Sequence, residues 1–94
     1  MVIDVGRRRV TVFGREVMLT VLKLELLSYF VMHPDEPITR ARLLEAVCGY
    51  SIGGTATVTV HVCRLRERIE VDPANPVLIR TVWGVGYQFS PAES

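Results

Sequence analysis

The stretch Thr57–Ile69, TVTVHVCRLRERI, decides the fold, because its two halves point to different backbones. From Thr57 to Val62, β-branched and polar residues alternate as they do in a half-buried strand, whereas CRLRERI reads as a basic helix. Placing the residues at helical steps of about 100° resolves the conflict. Val58, Val62, Leu65 and Ile69 then fall at i, i+4, i+7 and i+11 on one face, while the strand alternation fails beyond Val62. The stretch is therefore predicted to be a helix over 57–69. Its early valines and threonines are poor helix formers, so packing of that stripe must hold it.

Burying the stripe turns another set of residues outward. Ala56, Val60, Cys63, Arg64 and Glu67 occupy the opposite face, with Thr57 and Thr59 beside them. Small, β-branched and hydroxylated residues permit close approach to a groove. Arg66 and Arg68 flank the face, where guanidinium arms reach phosphates, and Arg64 is the arginine aimed outward.

Working outward, residues 2–19 contain the short β-type runs VIDV, RVTVF and EVML, separated by GRR and GRE, each with a turn-forming glycine. They predict a small antiparallel meander. Thr20 is placed to N-cap a first helix, VLKLELLSYFVM, with Leu22, Leu26, Leu27 and Phe30 as its buried stripe and His33-Pro34 as its stop. Thr39 repeats the device for a second helix, RARLLEAVC, with Leu43, Leu44 and Val47 inward, Cys48 in the core and Gly49 as C-cap. After the third helix, VDPANP excludes regular structure, and VLIRTVWGVGYQF reads as two strands about a glycine turn, a hairpin over 78–89.

The order is strands, helix, helix, loop, arginine-bearing helix and hairpin, an α+β winged helix-turn-helix. It predicts an N-terminal three- to four-stranded antiparallel sheet, three helices and a C-terminal β-hairpin wing. The sequence resembles the OmpR/PhoB-type DNA-binding domain of bacterial response regulators. The likeness runs through LTVLKLELL (19–27), ITRARLLEAVCGY (38–50), TVTVHVCRLRERI (57–69) and IRTVWGVGYQF (79–89), nearly the whole chain.

The resemblance implies that helix 57–69 enters the major groove of duplex DNA and that wing 78–89 touches the minor groove. Carried over by position, Thr57, Thr59, His61, Cys63, Arg64 and Arg66 fall on DNA-facing positions, and Thr81 and Trp83 on the wing. Val60 is placed to meet a thymine methyl, Arg64 to present a bidentate fork to guanine, and Arg68 to reach a phosphate. Further implied partners are RNA polymerase at loop 49–56 and a second copy on repeated half-sites. The chain departs from the family's frequent choices at Val21, Lys23, Cys48, Ala56, Thr59, Cys63 and Trp83; the departure at Cys48 predicts weaker binding, as do those at Ala56, Thr59 and Cys63. They also motivate the alternative of a winged-helix protein-interaction module that has lost DNA binding, with an apolar patch at Val60 and Trp83 as its mark.

Bulk properties set the outer bounds. The 94 residues suffice for one small domain, expected over 1–90 with a disordered tail at 91–94. Hydrophobic residues at 49% against 22% charged predict a folded core, and a net charge of +1 does not by itself indicate a nucleic-acid partner. No apolar run approaches the roughly 18 residues of a membrane span, and the first ten residues have the wrong order for a secretory signal. The expectation is a cytoplasmic protein with no membrane partner.

Two cysteines, Cys48 and Cys63, form neither a disulfide framework nor a CxxC spacing. His61 borders the core stripe while Cys63 faces out, so the pair is not read as metal ligands. His61 is expected to bond a phosphate or the backbone. Arg7, Arg8 and Arg9 are read as a solvated turn. In an isolated helix the three later arginines would read as a solvated face with Arg64 paired to Glu67; the motif context assigns Arg64 to DNA. No catalytic constellation is evident, so neither an enzyme nor a cofactor is expected.

Overall fold

A computed structural model describes residues 2–47 and 55–91, without the side chains of Thr55 and Ala56. Three short strands come first, β1 (Val2–Asp4), β2 (Arg9–Val12) and β3 (Arg15–Met18), paired antiparallel in that order. Val12 faces Arg15, so Phe13 and Gly14 form a two-residue turn with φ of 50° and 74°. Two positive φ values give the turn the twist that a hairpin needs. The first turn differs from expectation: Arg8, at φ 55°, takes the left-handed position instead of Gly6. Asp4 makes this workable by accepting the Arg7 N–H at 3.2 Å, while the Arg8 N–H reaches the Val5 carbonyl. Arg7 and Arg8 are exposed as predicted, and Arg9 pairs across the strands with Glu16 at 3.0 Å.

Helix α1 (Val21–Met32) starts where expected, with the Thr20 hydroxyl accepting the Lys23 N–H, and ends at His33. Its buried residues are Leu24, Leu26, Leu27 and Phe30, whereas Leu22 is only partly covered. The predicted stripe was too narrow because α1 is packed by two helices and a strand at once. Asp35, at φ 60°, donates its N–H to the Phe89 carbonyl, tying the end of α1 to the end of the chain's last strand. Glu36 then joins His33 to Arg42 at 3.1 and 2.9 Å.

Strand β4 (Pro37–Thr39) has no counterpart in the sequence reading. It is only three residues long and its partner is about fifty residues away, so no local pattern announces it. Thr39 ends the strand and also N-caps α2 (Arg40–Ala46), accepting the Arg42 N–H at 3.1 Å. Leu43 and Val47 are buried as expected and Leu44 partly so. The predicted roles of Cys48 and Gly49 lie outside the described residues.

Helix α3 (Thr55–Ile69) begins two residues before the predicted start, and Val58, Val62, Leu65 and Ile69 are all completely buried. At about 1.5–3 kcal/mol for each fully buried aliphatic side chain, this stripe outweighs the poor helix propensity of its first half. β5 (Ile79–Val82) and β6 (Gly86–Phe89) form the hairpin, and β4 adds to β6. The expected two-stranded wing is therefore part of a three-stranded sheet in the order β4-β6-β5. Gly86 is required at that seam, since any Cβ there would collide with the backbone of Ile38 and Thr39. One core gathers Val10 and Val12 of β2 with residues of all three helices and the second sheet. Beyond Pro91, the expected tail lies outside the described residues.

Candidate nucleic-acid interface

Because α3 hides its aliphatic stripe, Thr59, Val60, Cys63, Arg64 and Glu67 are left exposed and line a shallow hollow of about 420 Å³. Arg64 makes no hydrogen bond or ion pair among the described residues, and no bridge to Glu67 forms. Thr57 and His61 are half-buried at the edge of this face. His61 forms neither the expected backbone bond nor any other among the described residues; its Nδ1 is buried without a partner. Burial pushes the imidazole pKa down, and the charges of Lys23 and Arg64 push it further.

The two flanking arginines behave differently from Arg64. Arg66 donates from Nε to the Ile79 carbonyl at 2.9 Å and from a terminal nitrogen to the Thr81 hydroxyl at 2.8 Å, and its guanidinium lies 5.2 Å from the centre of the Tyr87 ring. It links helix to wing, so the free phosphate arm expected from the sequence is committed internally. Thr81, also assigned to DNA, is the acceptor of that link. Arg68 donates to the Met18 carbonyl at 2.9 Å and joins α3 to β3.

Glu70 was not singled out in the sequence. It is 3% exposed, and its carboxylate accepts the N–H groups of Val77, Leu78 and Ile79 at 2.8–3.1 Å. Three consecutive backbone donors at the start of β5 are thus held by the residue that follows the last buried turn of α3. The available signal was local misfit, since a carboxylate at a helix C-terminus opposes the helix dipole and needs another reason to be there. Asp72 organises the next loop by accepting from Asn75 and the Ala74 N–H, which lowers its pKa.

With its base fixed this way, the hairpin projects Trp83, which is 90% exposed, at a turn where Gly84 takes φ 81°. Trp83 lines a hollow with Thr39, Arg40 and Ala41, so the start of α2 stands beside the wing tip. Val60 and Trp83 line separate hollows, with Arg64 and Glu67 in one and Arg40 in the other. The arrangement offers a guanidinium on a helix ridge, unpaired among the described residues, and an exposed indole on a braced hairpin. Both suit the grooves of a nucleic-acid duplex.

Residues 14–89 match the family described as transcriptional regulatory protein, C terminal. The chain is 46% identical over 79 residues to the transcriptional regulatory protein YvrH of Bacillus subtilis, covering 83% of this chain and 33% of that protein. It is 44% identical over 90 residues to the DNA-binding response regulator MtrA of Mycolicibacterium paratuberculosis, covering 95% and 40%. The chain thus spans well under half the length of these relatives. Among solved structures, the Klebsiella pneumoniae RstA DNA-binding domain in complex with the RstA box superposes with a TM-score of 0.79 at 29% identity, covering 96% of this chain and 90% of that one.

Proposed function

The chain belongs to the family of C-terminal domains of transcriptional regulatory proteins, the OmpR/PhoB-type DNA-binding domains, and on that premise we propose that it binds duplex DNA sequence-specifically within a bacterial transcriptional regulator. Helix α3 lies in the major groove, and the wing meets the adjacent minor groove. The observation that carries this reading is Arg64, exposed and without a hydrogen bond or ion pair among the described residues, on a helix whose neighbouring arginines each donate to a backbone carbonyl. A fork of that kind discriminates guanine by about 1–3 kcal/mol.

Val60 supports contact with a thymine methyl, and Thr59 and Cys63 permit close approach. Trp83, at the wing tip, acts as an apolar probe of the minor groove. The function is binding, without catalysis or a cofactor. Such a domain acts in the cytoplasm, and no described helix is long and apolar enough to cross a membrane. With few free cations on the face, useful affinity calls for two copies on repeated half-sites about one helical turn apart. A polymerase contact through 49–56 falls largely outside the described residues and rests on the resemblance alone.

The test is selection from random duplex oligonucleotides at fixed salt, with the parent chain and an Arg64→Ala variant. The parent enriches one motif, and the variant loses preference at a guanine within it. Enrichment of no motif by the parent would remove the DNA reading.

A further inference from the structure

A second recess, on the α1 side of Arg64, takes no part in the reading above. Met18, Thr20, Lys23, Arg64, Glu67 and Arg68 enclose about 280 Å³ where the start of α1 meets the second half of α3. Three cations and one carboxylate line it, and none of the cations is in an ion pair among the described residues. The hydrogen bond from Arg68 to the Met18 carbonyl holds that guanidinium in place while using one of its five donors. Lys23 is half-buried and the two arginines are exposed; like charges gathered this way repel one another, and taking up an anion reverses the sign of that term. Lys23 on α1 and Arg64 on α3 also both disfavour protonation of His61, after its burial.

We infer that this recess seats one phosphodiester of duplex DNA, gripped by Lys23 and Arg68 with Arg64 on its rim. The inference rests on the DNA-binding reading and extends the footprint to α1, which that reading leaves unused. Arg64 and Glu67 line both this recess and the hollow over Thr59, Val60 and Cys63. A backbone entering the recess therefore runs beside the bases that Arg64 addresses. Lysine supplies a point charge and arginine a fork, the usual pairing of donors for a phosphate.

The contact is to backbone, so its loss weakens binding alike for every sequence. Lys23→Gln is expected to make the slope of log K against log salt shallower by about 1 on both the selected motif and a random duplex, with an unchanged motif and melting temperature. An unchanged slope, with the parent still binding duplex, would overturn the seat; a parent that binds no duplex overturns the DNA reading itself. A second measurement needs no variant. Following the His61 imidazole by NMR, duplex DNA is expected to raise its pKa relative to the free protein, while inorganic phosphate at equal ionic strength leaves it unchanged. No rise with saturating duplex, or an equal rise with inorganic phosphate, would overturn the assignment to a DNA phosphodiester.

Discussion

The wing sheet and the N-terminal sheet are each fastened to α3 by an arginine, but to very different degrees. Arg68 gives the N-terminal sheet one hydrogen bond, to the Met18 carbonyl. The wing sheet receives two from Arg66 and a cation–ring contact at Tyr87, and three backbone N–H groups, those of Val77, Leu78 and Ile79, donate to the buried Glu70. Core packing follows the same division. Val10 and Val12 are the fully buried side chains of β1–β3, with Leu19 buried just after them, whereas Ile38, Leu78, Ile79, Tyr87 and Phe89 are buried in and beside the second sheet. The wing is thus braced against α3, and under the proposed DNA reading a helix and a hairpin would meet two grooves in fixed register. Such preorganisation limits the ordering cost of binding.

If that contrast is right, the largest effect comes from Glu70→Ala. It leaves the buried N–H groups of Leu78 and Ile79 and the part-buried one of Val77 without their acceptor and should cost about 3–5 kcal/mol in urea denaturation. A loss below about 1 kcal/mol would show that the wing's base is held by packing alone. Gly86→Ala comes next. Its methyl forces β4 away from β6 and should cost about 2–3 kcal/mol, read as a lower denaturation midpoint.

Arg66→Met keeps much of the apolar stem and removes both hydrogen bonds. Its expected cost is about 1–2 kcal/mol, with faster amide exchange in β5 and β6 but not in β2 and β3. Equal acceleration in both sheets would erase the distinction between them. Arg64→Ala should leave stability within about 0.5 kcal/mol while changing DNA preference, because this arginine fastens neither sheet.

The smallest effect concerns pH. Burial holds the His61 pKa below its usual value, so the unfolded chain binds the proton more readily, and stability must fall as pH drops through the ordinary histidine range. His61→Gln should remove that slope between neutral and mildly acidic pH. Glu36, lowered first by its bond to Arg42, and Asp72, lowered first by Asn75, add the opposite class of group. Their ionised forms favour the fold, and that contribution disappears at lower pH, as each carboxylate protonates.

Much of this was legible in sequence because it is local or periodic. The stripe Val58-Val62-Leu65-Ile69 required a helix with one buried side, and that alone turned Arg64 outward. Thr20 and Thr39 marked their helix starts through side chains that act within three residues. Gly14 and Gly84 sit in the turns assigned to them.

What escaped was long-range. β4 exists only because β6 offers it an edge, and Gly86 is indispensable only because that edge arrives. Arg66 and Arg64 are two residues apart and look equivalent in the string, yet the wing's carbonyl and hydroxyl capture the first, while the second has no such partner among the described residues. Glu70 and Lys23 acquired their surroundings in the same way, from segments distant along the chain. Periodicity determines which face of a helix is hidden; which of its polar residues find partners depends on where other elements dock, and only the assembled fold decides that.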